Sequence, residues 1–223
     1  MTFLRFPASE TVPLVLDTSV IINLHASTYG HEILKALSND VVVTDIVVRE
    51  LEHQTSRENG DHQFIQELVD TSVVKMMSLD DQGSDLFAQL VTQTASLGDG
   101  EAATIAAAYH QGATPVLDDK KGRTVAQGVL PNTPLLWSLD MFLHPLAQNA
   151  LGKSGVAEAV YLALREGRMR IDEAQCEAVV GLIGSTKALD CICLPNFRAR
   201  RTEWLSELHV PNNSQVAEVT EKR

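Results

Sequence analysis

Apolar residues along this chain fall into short runs separated by segments of helical spacing. Candidate buried strands, one of them weak, occupy residues 14–16, 41–43, 73–79, 114–117 and 134–136. Between them, apolar positions recur every three or four residues, which is the spacing of helices that pack on a core. Repeated alternation of strand and helix predicts an α/β fold, a parallel sheet with helices on both faces.

The same spacing places the helices. They are predicted at residues 18–27, 33–37, 46–51, 61–70, 85–95, 102–109, 139–150, 156–165 and 172–183. The hydroxyl groups of Thr18 or Ser19 are suited to cap the first of them, and Thr44 or Asp45 the third. Residues 54–61 are polar and include an Asn-Gly pair, so they are predicted to form a loop.

Acidic residues stand near the ends of several predicted strands. Asp17 directly follows the first strand, and Glu50 lies in the helix after the second. Asp99 lies at the start of a helix, and Asp118 and Asp119 follow a later strand. Because the carboxyl ends of parallel strands share one edge of a sheet, we expect these side chains to converge there.

The expected cluster of acids needs a counter-charge, because carboxylates that lie close together repel one another. Mg²⁺ and Mn²⁺ prefer carboxylate oxygen and water, and phosphate oxygens can complete their coordination shell. No histidine stands at ligand spacing with these acids, which disfavours zinc. Each acid also has a structural explanation, as a helix-surface charge, an N-cap or a turn residue. Their recurrence at corresponding positions favours a metal site.

Composition narrows the function classes. The 29 acidic and 18 basic residues give a net charge of −11, so any contact with nucleic acid must be local or mediated by metal. The three cysteines are odd in number and form no C-x-x-C pair, so a reducing cytoplasm is the expected location. Residues 1–12 lack a signal-peptide pattern, and no apolar run approaches the roughly 20 residues of a membrane span.

Four short acidic motifs resemble, in their order, those of the PIN-domain nucleases. They are Val15-Leu16-Asp17-Thr18-Ser19-Val20, Arg49-Glu50-Leu51, Gly98-Asp99-Gly100-Glu101-Ala102 and Leu117-Asp118-Asp119. Residues 118–126, followed by Pro134-Leu135-Leu136, are similar to a prokaryotic subgroup close to the VapC toxins. The resemblance spans residues 15–143, with a weaker helical continuation to residue 184.

This resemblance implies a ribonuclease that depends on Mg²⁺ or Mn²⁺ and cleaves the phosphodiester bonds of single-stranded RNA. Asp17 and Asp99 would be the principal metal ligands, and Glu50 with Asp118 or Asp119 would complete the site. Strand continuity favours Asp118 of the last two. The expected catalytic residues are therefore Asp17, Glu50, Asp99 and Asp118, and the expected metal ligands are Asp17, Asp99, Asp118 and Asp119.

Hydroxyl and basic side chains beside the acids are the expected substrate contacts. Ser19 or Thr18 matches the small hydroxyl residue that often follows the first Asp of the family, and Ser19 is the expected substrate contact. Lys120, Lys121 and Arg123 can steady a phosphate backbone. For partners, the resemblance implies single-stranded RNA, a cognate antitoxin and a homodimer, with no membrane. The chain is longer than a minimal toxin, so a toxin role does not follow from the motifs alone.

The chain is expected to divide into a PIN-like nuclease domain at residues 1–150 and a C-terminal helical extension at residues 151–223. Residues 210–223 carry few apolar side chains, so they are predicted to be a disordered tail.

Two other function classes fit parts of the sequence. Haloacid-dehalogenase-like phosphatases also carry an early Asp-Thr-Ser-Val, a Gly-Asp-Gly and a later Asp-Asp. Their second acid, two residues after the nucleophilic Asp, is here Ser19. A non-catalytic PIN-like protein that binds a partner would have no reason to retain mutually repelling carboxylates.

Overall fold

The computed structural model describes residues 12–209, with side chains described for residues 12–206. The strands are β1 (Leu14–Leu16), β2 (Val41–Thr44), β3 (Lys75–Met77) and β4 (Thr114–Val116). The helices are α1 (Thr18–Ala26), α2 (Gly30–Ala36), α3 (Asp45–Glu50), α4 (Gln54–Asn59), α5 (Asp61–Asp70), α6 (Asp81–Gln93), α7 (Asp99–Gln111), α8 (Lys120–Val129), α9 (Ser138–Phe142), α10 (Pro145–Arg165), α11 (Cys176–Ile183), α12 (Ser185–Ala188) and α13 (Phe197–His209), with a 3₁₀ turn at Glu173–Gln175.

The four strands form one parallel sheet in the order β3-β2-β1-β4. In this order β1 lies between β2 and β4, with Leu14 opposite Val41 on one side and Thr114 on the other. The predicted strand at 134–136 is reduced to a single bridge between Val116 and Leu136, because Pro134 has no N–H to donate to a ladder. The carboxyl ends of β1 and β4 therefore lie side by side.

Both faces of the sheet are covered, because side chains alternate along each strand. Leu14 and Leu16 belong to a large core that includes residues from α1, α2, α5 and α10. Val15 points to the opposite face, where Ile105 of α7 and Ala126 of α8 form a second, smaller core. Burial on both faces explains the continuously apolar sequence of the central strand β1, whereas the edge strand β3 is largely exposed and begins with Lys75.

Most predicted helices are confirmed, with shifts of a few residues at their ends. The helix predicted at 61–70 is α5, and that predicted at 18–27 is α1. The N-cap of α1 is Asp17, so the prediction of Thr18 or Ser19 there was wrong. The loop predicted at 54–61 was also wrong, because α4 forms there. None of the residues of α4 is buried, which explains why it leaves no apolar pattern.

The C-terminal helices share the large core with the rest of the chain. Val160, Ile183 and Trp204 all belong to it, and α10 passes through residue 150 before a kink at Gly152, whose φ is 67°. The division near residue 150 stays a prediction, and the predicted tail, 210–223, lies outside the described residues. Along residues 12–209, no helix is long and apolar enough to cross a membrane.

Arg123 of α8 ties this helix to the segment that follows β4. Its Nη1 donates to the carbonyl oxygens of Leu117 at 3.0 Å and Leu136 at 2.8 Å, and its Nη2 donates to that of Leu135 at 3.2 Å. The guanidinium also lies 3.9 Å from the centre of the Trp137 ring. These contacts give Arg123 a structural role in holding the chain beside the end of β4.

We predict that Arg123→Lys lowers the free energy of unfolding by about 2 kcal/mol, because an ammonium group cannot reproduce the planar set of bonds to three carbonyls. Chemical denaturation measures the change. Arg57→Lys is the matched control, since Arg57 is exposed and donates one bond to a nearby carbonyl. Equal effects of the two substitutions would contradict the assigned role.

Candidate active site

The ends of β1 and β4 open into a cavity of about 350 Å³, which we call the acid cavity. Four carboxylates line it, those of Asp17, Glu101, Asp118 and Asp119. Asp17 comes from the end of β1, Glu101 from the first turn of α7, and the other two from the end of β4. Of the acids expected to converge at this sheet edge, Asp17, Asp118 and Asp119 line the acid cavity, whereas Glu50 and Asp99 do not.

Asp17 serves both as a helix cap and as a wall of the cavity. Its Oδ2 accepts from the backbone N–H of Ser19 at 3.2 Å and from the Ser19 hydroxyl at 2.7 Å. The residue is 4% exposed, and Ser19 also lines the acid cavity. Ser19 thus orients the carboxylate of Asp17.

Asp118 is held by three hydrogen bonds from two other parts of the chain. Ser138 donates to it twice, from its N–H to Oδ1 at 2.7 Å and from its hydroxyl to Oδ2 at 2.5 Å. Asn23 of α1 donates from Nδ2 to Oδ2 at 2.6 Å. Asp118 is 2% exposed, so it is fixed in position before any ligand binds.

At the start of α7, Glu101 rather than Asp99 lines the acid cavity. Asp99 is exposed, whereas Glu101 is half-buried and accepts from the backbone N–H of Gly98 at 3.0 Å. Successive helical residues are 100° apart, so two residues two positions apart point in nearly opposite directions. The structure therefore does not bring Asp99 to Asp17, and Glu101 is the acid that sequence reasoning missed.

Glu50 contacts the site from behind and does not line the acid cavity. Its Oε1 accepts from the backbone N–H of Gly100 at 2.8 Å, and its Oε2 accepts from the hydroxyl of Thr18. A Cβ at position 100 would lie 2.3 Å from Oε2 of Glu50. Glu50 thus fixes the first turn of α7 against the residue that follows Asp17, which makes it a positioning residue.

The other residues predicted for the site, Asp119, Lys120, Lys121 and Arg123, lie around the start of α8. Asp119 caps α8 through the N–H of Lys121 at 2.8 Å. The ammonium group of Lys121 bonds to Ala95 and Ser96, so the structure does not bring it to the acid cavity. Lys120 lines a larger adjoining cavity of about 1120 Å³, and Arg123 is bound as described above.

The environment of Asp17, Glu101 and Asp118 disfavours their charged forms. The pKa of Asp118 is raised to about 6, mainly by burial and also by the charge of Asp17, although the hydrogen bonds from Ser138 lower it. Burial likewise raises the pKa of Asp17, and burial and the charges of Asp17 and Asp119 raise that of Glu101. Burial is the largest cause of all three shifts, and repulsion between the neighbouring carboxylates adds to it.

The donor set fits a hard divalent cation. All four acids offer oxygen, the ligand that Mg²⁺ and Mn²⁺ prefer. Among residues 12–209, no group of three or more acidic, histidine or cysteine side chains is arranged so that it could hold a metal ion. Mg²⁺ is commonly held by one or two carboxylates with water and substrate phosphate, so an incomplete protein shell agrees with this ion. One or two of the four acids that line the acid cavity, Asp17, Glu101, Asp118 and Asp119, would hold it.

Two arginines beside the acids were also missed by sequence reasoning. Arg168 and Arg170, which follow α10, line both cavities, and Arg170 donates to Oδ2 of Asp119. The sequence signal was their alternation with Met169 and Ile171, which is typical of an extended segment with one buried face.

A family model described as PIN domain (DUF3368) matches residues 13–134. The chain belongs to the PIN-domain family. Among solved structures, it is similar to VapBC2 from Rickettsia felis, bound to a DNA fragment from their promoter, with 18% identity and a TM-score of 0.39. That match covers 56% of this chain and 98% of the other. No curated protein matches significantly.

Membership of the PIN-domain family confirms the predicted fold class, a parallel-sheet α/β/α domain with C-terminal helices. PIN domains are generally nucleases and generally use divalent metals such as Mg²⁺. The phosphatase alternative loses its support, because the motifs that it shares belong to a PIN-domain region.

We predict that Gly100→Ala lowers the free energy of unfolding by about 1 kcal/mol, although alanine is normally the better helix former. The added Cβ would displace the Glu50 carboxylate from Gly100 and Thr18. Gly128→Ala on α8 is the control, because its Cβ would meet nothing within 4 Å, and it should stabilise by about 0.5–1 kcal/mol. Chemical denaturation measures the change in the free energy of unfolding of each variant. Stabilisation by both substitutions would contradict the contact between Gly100 and Glu50.

Proposed function

We propose that this protein is an endoribonuclease that depends on Mg²⁺ or Mn²⁺ and hydrolyses phosphodiester bonds of single-stranded RNA. The observation that carries the proposal is the convergence of four carboxylates on one cavity at the ends of β1 and β4. A divalent cation held there would polarise the phosphodiester and lower the pKa of a bound water.

The residues of the chain divide into ligands and residues that position them. One or two of Asp17, Glu101, Asp118 and Asp119 would hold the cation, and Ser19 fixes the carboxylate of Asp17. Ser138 and Asn23 hold Asp118 in one orientation. A ligand set fixed before binding loses little conformational entropy when the substrate arrives, which favours catalysis by positioning.

Glu50 acts on the site through the backbone. By accepting from Gly100 and Thr18, it sets the start of α7 relative to the end of β1, and therefore the position of Glu101. Its contribution to activity should be partial, since the carboxylate does not line the acid cavity.

A cognate antitoxin and a homodimer are part of this proposal, on the ground of membership in a family that includes toxins. Co-expression with the product of an adjacent small reading frame, followed by size-exclusion chromatography, tests the antitoxin. An antitoxin of this kind should suppress RNA cleavage in proportion to the complex formed.

We predict that the full chain cleaves single-stranded RNA with Mg²⁺ or Mn²⁺ and not with EDTA. Asp17→Asn and Glu101→Gln keep the shape of the side chain but remove a negative charge from the acid cavity. Each should lower the cleavage rate at least about a hundredfold, the scale of losing an electrostatic contribution to the transition state. Denaturing gel electrophoresis of a labelled RNA measures the rate.

Asp99→Asn is the matched control, because Asp99 is exposed in the same turn as Glu101 and lies outside the acid cavity. Its cleavage rate should stay within a few-fold of the wild-type rate. Undiminished cleavage by Asp17→Asn, after removal of contaminating nuclease, would overturn the metal-site assignment. Strong loss in Asp99→Asn with full activity in Glu101→Gln would restore the ligand set expected from the motifs.

A further inference from the structure

Residues 167–171 form a short segment after α10 that we call the arginine strap. Its side chains alternate: Met169 and Ile171 are buried at 0% and 7% exposure, whereas Arg168 and Arg170 are exposed. The backbone N–H of Met169 donates to the carbonyl of Ala163 at 3.0 Å, which anchors the strap to α10. The two guanidinium groups are therefore presented on one side by a segment fixed in the core.

The strap lies directly against the residue that holds Asp118. A Cβ at Gly167 would lie 2.7 Å from Oδ1 of Asn23, so only glycine permits this approach. Asn23 in turn donates from its Nδ2 to Asp118. The position of the strap is thus coupled to the acid cavity by packing, although the strap lies beyond the family-matched residues 13–134.

Asp119 orients one of the arginines. Its Oδ1 caps α8, and its Oδ2 accepts from Nη1 of Arg170. Arg170 uses one corner of its guanidinium in this pair, and its side chain remains 66% exposed. The remaining donors of a guanidinium suit the paired oxygens of a phosphate.

The larger cavity continues from the acid cavity along the strap. Lys120, Arg168 and Arg170 line it, and the latter two line both cavities. Three acids also line it: Asp118 accepts from Ser138 and Asn23, Asp172 caps the 3₁₀ turn and Glu173 accepts from Asn196. In a protein with a net charge of −11, this is a local cationic surface next to the acids.

We propose that the arginine strap binds the phosphate backbone of the RNA, with Arg168 and Arg170 contacting phosphates that flank the bond at the acid cavity. This inference rests on the proposed ribonuclease function and assigns its substrate contacts to the C-terminal extension. Lys120 lines the larger cavity together with these arginines and would contact a further phosphate. Phosphate contacts of this kind position the strand without reading its sequence.

The test measures binding without cleavage. The full chain carrying Asp17→Asn is titrated in EDTA with a fluorescent single-stranded RNA at several salt concentrations, by anisotropy. Adding Arg168→Ala and Arg170→Ala should weaken binding at least tenfold. The negative slope of log K against log salt should become shallower by about 1.4, since each phosphate contact on a single strand contributes about −0.7.

The control removes the same charge elsewhere. Arg198→Ala with Arg201→Ala changes two arginines of α13 that lie outside both cavities. This variant should keep its affinity within about twofold of the parent value and its salt slope within about 0.3. These margins allow for weak long-range electrostatic attraction of the RNA. Thermal unfolding of both double variants should match the parent, because none of the four side chains is buried in the core.

Two results separate failure of the strap from failure of the function. If the wild-type chain cleaves RNA, and the strap variant binds like the parent or loses no more affinity than the α13 variant, the strap is not the binding element. If the wild-type chain does not cleave RNA and the Asp17→Asn chain does not bind it, the proposed function fails and this inference fails with it.

Discussion

The structure depends on placing two buried carboxylates, Asp17 and Asp118, at the ends of neighbouring parallel strands. Burial disfavours their charged forms, and their proximity adds repulsion. The fold compensates with donors, from Ser19 to Asp17 and from Ser138 and Asn23 to Asp118. A hard cation would relieve the remaining repulsion, so the grouping that disfavours the charged forms of these acids also favours ion binding.

The surrounding elements serve this arrangement. The absence of a side chain at Gly100 lets the Glu50 carboxylate contact the first turn of α7. This contact sets the position of the turn, so that the side chain of Glu101 lines the acid cavity. On the other side, the close approach of Gly167 to Asn23 brings the arginine strap to the same opening. The C-terminal helices share the large core, so the cationic groups of the strap are fixed relative to the acids.

Sequence patterns predicted the sheet and the acid-bearing strand ends, because the short apolar runs of β1 and of residues 115–117 are followed directly by Asp17 and Asp118. They did not distinguish Asp99 from Glu101, since both stand in one turn and only packing against Gly122 and Gly98 selects the face. α4 was missed because it buries nothing. The strap was missed because its contacts with Asn23 and Asp119 join residues remote in sequence.

Binding of Mn²⁺ tests the central claim most directly, through its effect on thermal unfolding without any substrate. A ligand that binds the folded state raises the melting temperature progressively with its concentration. We expect a rise for the wild-type chain and for Asp85→Asn, whose exposed carboxylate lies outside the acid cavity, and little or none for Asp17→Asn. An equal rise in all three proteins would contradict a cation site at the ends of β1 and β4.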